Sequence, residues 1–176
     1  MAIAHVQKLA TGGITAIAYA DKAEIAVGTT WTESFYTLKD SVAVSQAEPT
    51  KAEILVDQID APIYLNYDTG AFTVTGTIPD VSNTILSLIY TTGTAPFAPS
   101  GYTATGIKTD IKVLNKMFKI TFDSGQVIII TNGDFVANLV GDSLSTTALA
   151  HKFTIVAKAG TAAIAQGAEV VMWNTI

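Results

Sequence analysis

Apolar and polar residues alternate over short stretches along most of this chain, the pattern of strands that bury one face and show the other to water. In Ala71-Phe72-Thr73-Val74-Thr75 the apolar Phe72 and Val74 share one face and the threonines the other, after a turn signal at Asp68-Thr69-Gly70. Lys119 to Phe122, Gln126 to Thr131 and Phe135 to Val140 read as three more strands, separated by Asp123-Ser124-Gly125 and by Asn132-Gly133. Asn-Gly is a strong signal for a two-residue hairpin turn, so an antiparallel meander is expected here. A last clear strand covers about Leu149 to Ala159, where Phe153, Ile155 and Ala157 oppose Lys152, Thr154 and Lys158. The stretch from Ile107 to Ile120 satisfies two periods. Ile107, Ile111, Leu114 and Phe118 recur at helical spacing, while Thr109, Val113 and Ile120 fit a strand, and a strand is the assignment made.

One helix is expected at about residues 80–92, where Pro79-Asp80 precedes Val81, Ile85, Leu88 and Ile89 at helical spacing and Gly93 follows as a stop. Asp80 is the expected cap, accepting from the free donors of the first turn. Leu86 and Tyr90 fall off the main stripe, so the helix is expected to have neighbours on more than one side.

The segment from Lys39 to Pro62 carries two short apolar alternations, around Val42-Val44 and Ile54-Val56, joined through Ser45 to Thr50. It reads as a long projecting hairpin. An isolated two-stranded ribbon is marginally stable in water, so such an arm makes physical sense when a neighbouring subunit covers it. Val42, Val44, Pro49, Ile54, Val56 and Pro62 are the candidate interface residues.

Composition sharpens this picture. Of the 176 residues 49% are hydrophobic and 14% charged, against about 25% charged in an ordinary soluble protein. No linker divides the chain, so one domain over 1–176 is expected. A surface of Thr, Ser, Ala and Gly suits subunits that cover one another, because interface centres are depleted of charge. The net charge is −5 and every cation is a lysine, with no arginine in the chain. That balance argues against gripping nucleic acid, which depends on clustered cations and arginine forks. No cysteine is present, so disulfides, thiol nucleophiles and Cys-based metal sites are excluded. The apolar stretch from Leu9 to Ala20 is broken by Thr11, Gly12, Gly13 and Thr15, which argues against a signal peptide. No run of about 18 apolar residues predicts a membrane-spanning helix.

Catalytic motifs are few. Asp68-Thr69-Gly70-Ala71 has the local pattern of an aspartic protease, and Asp123-Ser124-Gly125 is a second such triplet, but both suit ordinary turns between strands. Of the two histidines, His5 and His151, the second lies in an expected strand and no nucleophile elbow accompanies it. Asp57 and Asp60 lack the spacing of a calcium loop. Lys108, Lys112, Lys116 and Lys119 form a small basic cluster, read as a solvated face or as partners for inter-subunit pairs. No catalytic residue, cofactor or metal is assigned.

The order of these elements resembles the tail tube (major tail) proteins of tailed bacteriophages, related to the inner-tube proteins of contractile injection systems. The likeness rests on four stretches between about residues 30 and 160. They are Asp40-Ser41-Val42 through Glu48-Pro49-Thr50, then Asp60-Ala61-Pro62-Ile63, then Phe72-Thr73-Val74 through Ile78-Pro79-Asp80-Val81-Ser82 to Leu88, and last Ser143-Leu144-Ser145-Thr146-Thr147. The resemblance implies an antiparallel β-sandwich or partial barrel with one flanking helix, six copies to a ring, and rings stacked into a tube. It implies an arm at about 39–62 laid on the adjacent ring and a lumen that passes DNA without reading it. It also implies tape-measure and tail-completion proteins as partners, and a place in the virion tail after assembly in the host cytoplasm. Two other classes fit the composition: a decoration or surface-binding β-sandwich, and an aspartic-type protease acting through Asp68.

Overall fold

The structure, a computed structural model, describes residues 13–21, 30–56, 59–68, 70–94, 97–102, 104–108, 110–141, 149–159 and 170–173. In chain order these form β1 (Ile14–Ala20), β2 (Thr32–Phe35), β3 (Ala43–Gln46), β4 (Thr50–Val56), β5 (Ile59–Asp68), β6 (Phe72–Ile78), α1 (Asn83–Ile89), β7 (Thr92–Thr94), β8 (Thr105–Ile107), β9 (Leu114–Phe122), β10 (Val127–Val140), β11 (Ala150–Ala157) and β12 (Val170–Trp173). The protein is mainly β and its strand pairs are antiparallel.

The main sheet runs β2-β1-β9-β10-β11-β6-β3, with β12 also on β10. It cannot be flat. Phe35 on the edge strand β2 and Phe153 on β11 are four strand positions apart, which in a flat sheet is roughly 19 Å. Their ring centroids are 5.3 Å apart. The same chain segment joins both edges: β2 pairs with β1, and three residues later the Leu38 N–H donates to the Thr77 carbonyl of β6 at 2.9 Å. The sheet is therefore curled into a partial barrel, closed by the single stretch from β2 to β3.

What closes it is aromatic. Phe135 on β10 lies 5.7 Å from Phe35, 6.0 Å from Phe118 and 5.7 Å from Phe153, centroid to centroid. Ile17, Val74, Ile78, Ile120, Ile130 and Ile155 fill the space around these rings. Each aromatic contact adds about 0.5–1.5 kcal/mol beyond the area it buries. A smaller cluster on the opposite face of β9 consists of Met117 and Ala20, with Trp31 laid over it.

The Asn132-Gly133 pair does not turn the chain. Positive φ occurs at Asp40, Gly101 and Gly125 among the described residues, and β10 continues through residues 132 and 133 as one strand. Between Ile130↔Phe118 and Gly133↔Lys116, β10 advances three residues while β9 advances two, so the pair forms a bulge. Asn132 holds it, donating from Nδ2 to the Ala159 carbonyl at 2.8 Å and accepting from Asn115 Nδ2 at 3.1 Å. A side chain at Gly133 would meet Phe118, Ile155 and Ile130, the first at 2.9 Å. The bulge also divides the far edge of β10 between β12 at 127–130 and β11 at 133–140.

The helix is shorter than expected, at 83–89 rather than about 80–92, and Ser82 rather than Asp80 is its cap. Ser82 Oγ accepts from the Ile85 N–H at 3.5 Å, while the Asp80 carboxylate accepts from the Ser82 N–H at 2.7 Å. Ile85 and Ile89 are buried, and Val81 lies exposed outside the helix. The strand assigned across 107–120 is two strands, β8 and β9, with residues 108–113 between them.

Gly76 of β6 is the seat of Phe153. A Cβ there would stand 2.7 Å from the Phe153 ring and 3.0 Å from Val42. Gly76→Ala is expected to cost about 1–3 kcal/mol, since the packed ring has no room to retreat. Urea unfolding measures this as a lower midpoint at constant slope, and an unchanged midpoint would contradict the packing described for Phe153.

Candidate functional site

The hairpin expected at 39–62, with Val42-Val44 opposite Ile54-Val56, is not the pairing observed. Residues 43–46 pair with β6 in the main sheet, and the ribbon that leaves the sheet is β4–β5, from Thr50 to Asp68. The physical reason is that β3 and β4 form one arm of a long hairpin and β5 and β6 the other. The base of that hairpin belongs to the barrel and its outer part does not. A pinch separates the two parts, where the Ala47 N–H donates to the Ala71 carbonyl at 3.1 Å. At Gly70 a Cβ would stand 1.8 Å from the Ala47 carbonyl oxygen, so only glycine fits this crossing.

The six candidate interface residues are thereby divided. Val42 is half-buried against the core beneath Gly76, and Val44, paired with Val74, is partly exposed on the edge strand β3. Pro49 is exposed in the link between β3 and β4. Ile54, Val56 and Pro62 belong to the ribbon, whose register runs from Thr50↔Asp68 to Val56↔Ile59. Pro62 falls at an irregularity where β5 advances five residues, from Ile59 to Tyr64, against two on β4. A residue without an N–H is tolerated at such a break in the ladder. The side chains of Ile54, Val56, Pro62 and Asp68, and all of Asp57, lie outside the described residues.

Three surfaces stand out among the described residues. Beyond β6, β3 has no strand partner among the described residues, and β4 and β5 pair only with each other. Beside β3, an open cleft of about 920 Å³ follows the barrel seam, lined by Ile14, Leu38, Val42, Val44, Phe122 and Asp123 among others. The third surface is the β7–β8 ribbon with its flanking segments, where Phe97 is 79% exposed, Tyr102 76% and Ile111 79%. Sequence reasoning passed over Phe97 and Tyr102. The signal available was an aromatic in a proline-bracketed turn, Pro96-Phe97-Ala98-Pro99, with no apolar periodicity to place it in the core.

The polar candidates are held by structural contacts. Asp123 sits in the β9–β10 turn, where its carboxylate accepts from Thr15 Oγ1 at 2.7 Å and its N–H donates to the Gly13 carbonyl at 3.0 Å. The lysines expected to cluster have separate neighbours. Lys112 donates to the Ser87 carbonyl, Lys116 pairs with Asp21, and Lys119 lies 5.2 Å from the Trp31 ring centre. Lys108 is exposed. Among the described residues no three His, Asp or Glu side chains are grouped as a metal site would need, and no helix is long and apolar enough to cross a membrane.

His151 is fully buried on β11, and its Nε2 has no hydrogen-bond partner among the described residues. Its Nδ1 stands 3.5 Å from the Tyr90 hydroxyl. Burial lowers its pKa from the usual 6.5, and the nearby Asp80 carboxylate opposes that shift in part. His5 lies outside the described residues.

No protein-family model matches the chain, and no curated protein matches it.

The buried imidazole fixes the sign of a pH effect. Between its lowered folded value and 6.5 the unfolded chain binds more protons than the folded one, so this contribution to stability is present at neutral pH and declines as pH falls below 6.5. The slope is at most about 1.4 kcal/mol per pH unit. Urea midpoints at pH 7.5 and 5.5 are expected to differ less in His151→Phe than in wild type, and an identical difference would contradict the assignment.

Proposed function

We propose that this chain is a structural virion protein that self-assembles into the tail tube of a bacteriophage, as stacked sixfold rings enclosing a channel for DNA. The observation that carries this reading is the β4–β5 ribbon, which grows out of the barrel and pairs with no other strand among the described residues. Two strands alone gain too little burial to remain folded in water, so a ribbon of this length is stabilised when another surface covers it. A second copy is the simplest source of that surface. The low charge of the chain agrees, since 14% charged residues leave much of the exterior uncharged.

The open edge of β3 supports association in the same direction. Unpaired strand edges are an aggregation hazard unless another strand completes them, and a ring of copies removes the hazard by closure. The sixfold ring, the arm laid on the next ring, and the tape-measure and tail-completion partners follow from the likeness to tail tube proteins in the four stretches quoted above. The acidic, arginine-free composition suits a wall past which DNA slides without being held. No chemistry is assigned to the chain, and its work is mechanical.

Negative-stain electron microscopy of the purified protein over a concentration series, beside size-exclusion chromatography, tests this reading. Hollow tubes or sixfold rings are expected as concentration rises. A monomer at every concentration, with no rings even after nucleation, would overturn it in favour of a β-sandwich decoration or binding module.

A further inference from the structure

Residues 79–113 leave the barrel after β6 and return to it at β9, and they hold together by contacts among themselves. Thr105 Oγ1 donates to Asn83 Oδ1 at 2.8 Å, the Lys108 N–H to the Thr91 carbonyl at 3.0 Å, and Lys112 Nζ to the Ser87 carbonyl at 2.5 Å. Their two strands, β7 and β8, pair only with each other. The excursion meets the barrel through Ile85 and Ile89, which enter the core, and through Tyr90, whose ring stands edge-on to His151 at 5.8 Å.

His151 is the polar group beneath this contact. Its register neighbours are Ile78 on β6 and Leu139 on β10, neither of which titrates. The link from β6 to α1 brings Asp80 near, the end of α1 brings Tyr90, and α1 itself buries only Ile85 and Ile89. The adjacent Lys152 is exposed, as strand alternation requires. Among the described residues, then, the neutral ring has one long contact to Tyr90 at Nδ1 and nothing at Nε2. An imidazolium has two N–H donors and needs an acceptor for each. Among the described residues only the Tyr90 oxygen stands in hydrogen-bond range, and the Asp80 carboxylate is engaged by Ser82, so the second donor requires water.

We propose that His151 is an acid-operated latch, whose protonation frees the 79–113 excursion from the barrel while the β9–β10–β11 core stays closed. Lifting the excursion is what admits water to the buried ring, because among the described residues the ladders with β6 and β10 flank it on two other sides. The excursion yields first because, among its described residues, Ile85, Ile89 and Tyr90 are the side chains packed in or against the core cluster, whereas the barrel is held by full-length ladders and the aromatic cluster. A seven-residue helix is marginal alone, so α1 loses its order once detached. This device does not depend on the tail-tube reading.

Hydrogen exchange by mass spectrometry on the full chain, at pH 7.5 and 5.0 and corrected for intrinsic exchange rates, tests the latch. If the detached ring titrates near 6.5 and the buried ring stays neutral, the open population rises by up to about 30-fold between these pH values. Peptides covering 81–94 are expected to show that acceleration, those covering 116–136 none, and His151→Phe to abolish it. Equal acceleration in His151→Phe, acceleration spread over β9 and β10, or no acceleration in wild type would each overturn the proposal. Should His151→Phe fail to fold, the wild-type ring titrated by NMR decides: a pKa at or above 6.5 overturns the latch, and a value below it with local broadening confined to 81–94 upholds it.

Discussion

The fold depends on one contact cluster, the packing of Phe135 against Phe35, Phe118 and Phe153. These rings come from β10, β2, β9 and β11, so the edge strand is joined directly to the far side of the sheet. Without that closure the sheet would be an open curve with two free edges and a solvated apolar face. Gly76 and Gly133 are the complementary half of the arrangement, because each leaves out a side chain where an aromatic ring must lie. The cluster fixes the seam, the seam places β3 along β6, and β3 in turn leads into the β4–β5 ribbon, which pairs outside the main sheet.

Strands with a simple alternation were readable directly. From Val74 to Ile78 and from His151 to Ala157 every second residue is buried, and both lie in strands close to where the pattern puts them. The errors came where local and distant interactions compete. Asn132-Gly133 has the chemistry of a turn, but the partners of both flanking halves continue in line, so the pair became a bulge instead. Asp80 and Ser82 both have capping side chains, and a two-residue difference in where the helix starts decided between them. The arm was legible as short strands, but not their pairing. Val42 and Val44 alternate as a strand in either pairing, and whether they face β4 or β6 depends on contacts about 30 residues away.

The exposed surfaces were harder to read than the strands. Low charge and a lone ribbon support the proposed association, yet the exposed Phe97 and Tyr102 carry no periodicity that marks them in a sequence. The basic cluster had the reverse fate. Its lysines are close in sequence, but strand geometry and separate partners send Lys112, Lys116 and Lys119 to different neighbours. His151 looked like an ordinary strand residue, and its significance came from Tyr90 and Asp80, which no local pattern ties to it.

The central claim is that another copy of the chain covers the ribbon. Because the chain has no cysteine, a single Ala52→Cys in β4 gives a unique thiol on an exposed ribbon position. The rate of its modification by a small thiol reagent, followed from dilute to concentrated protein, tests the claim most directly. The account predicts that the rate falls as copies assemble, while the unfolded protein shows no concentration dependence. A rate that stays constant across the whole range, in protein that remains folded, would contradict it.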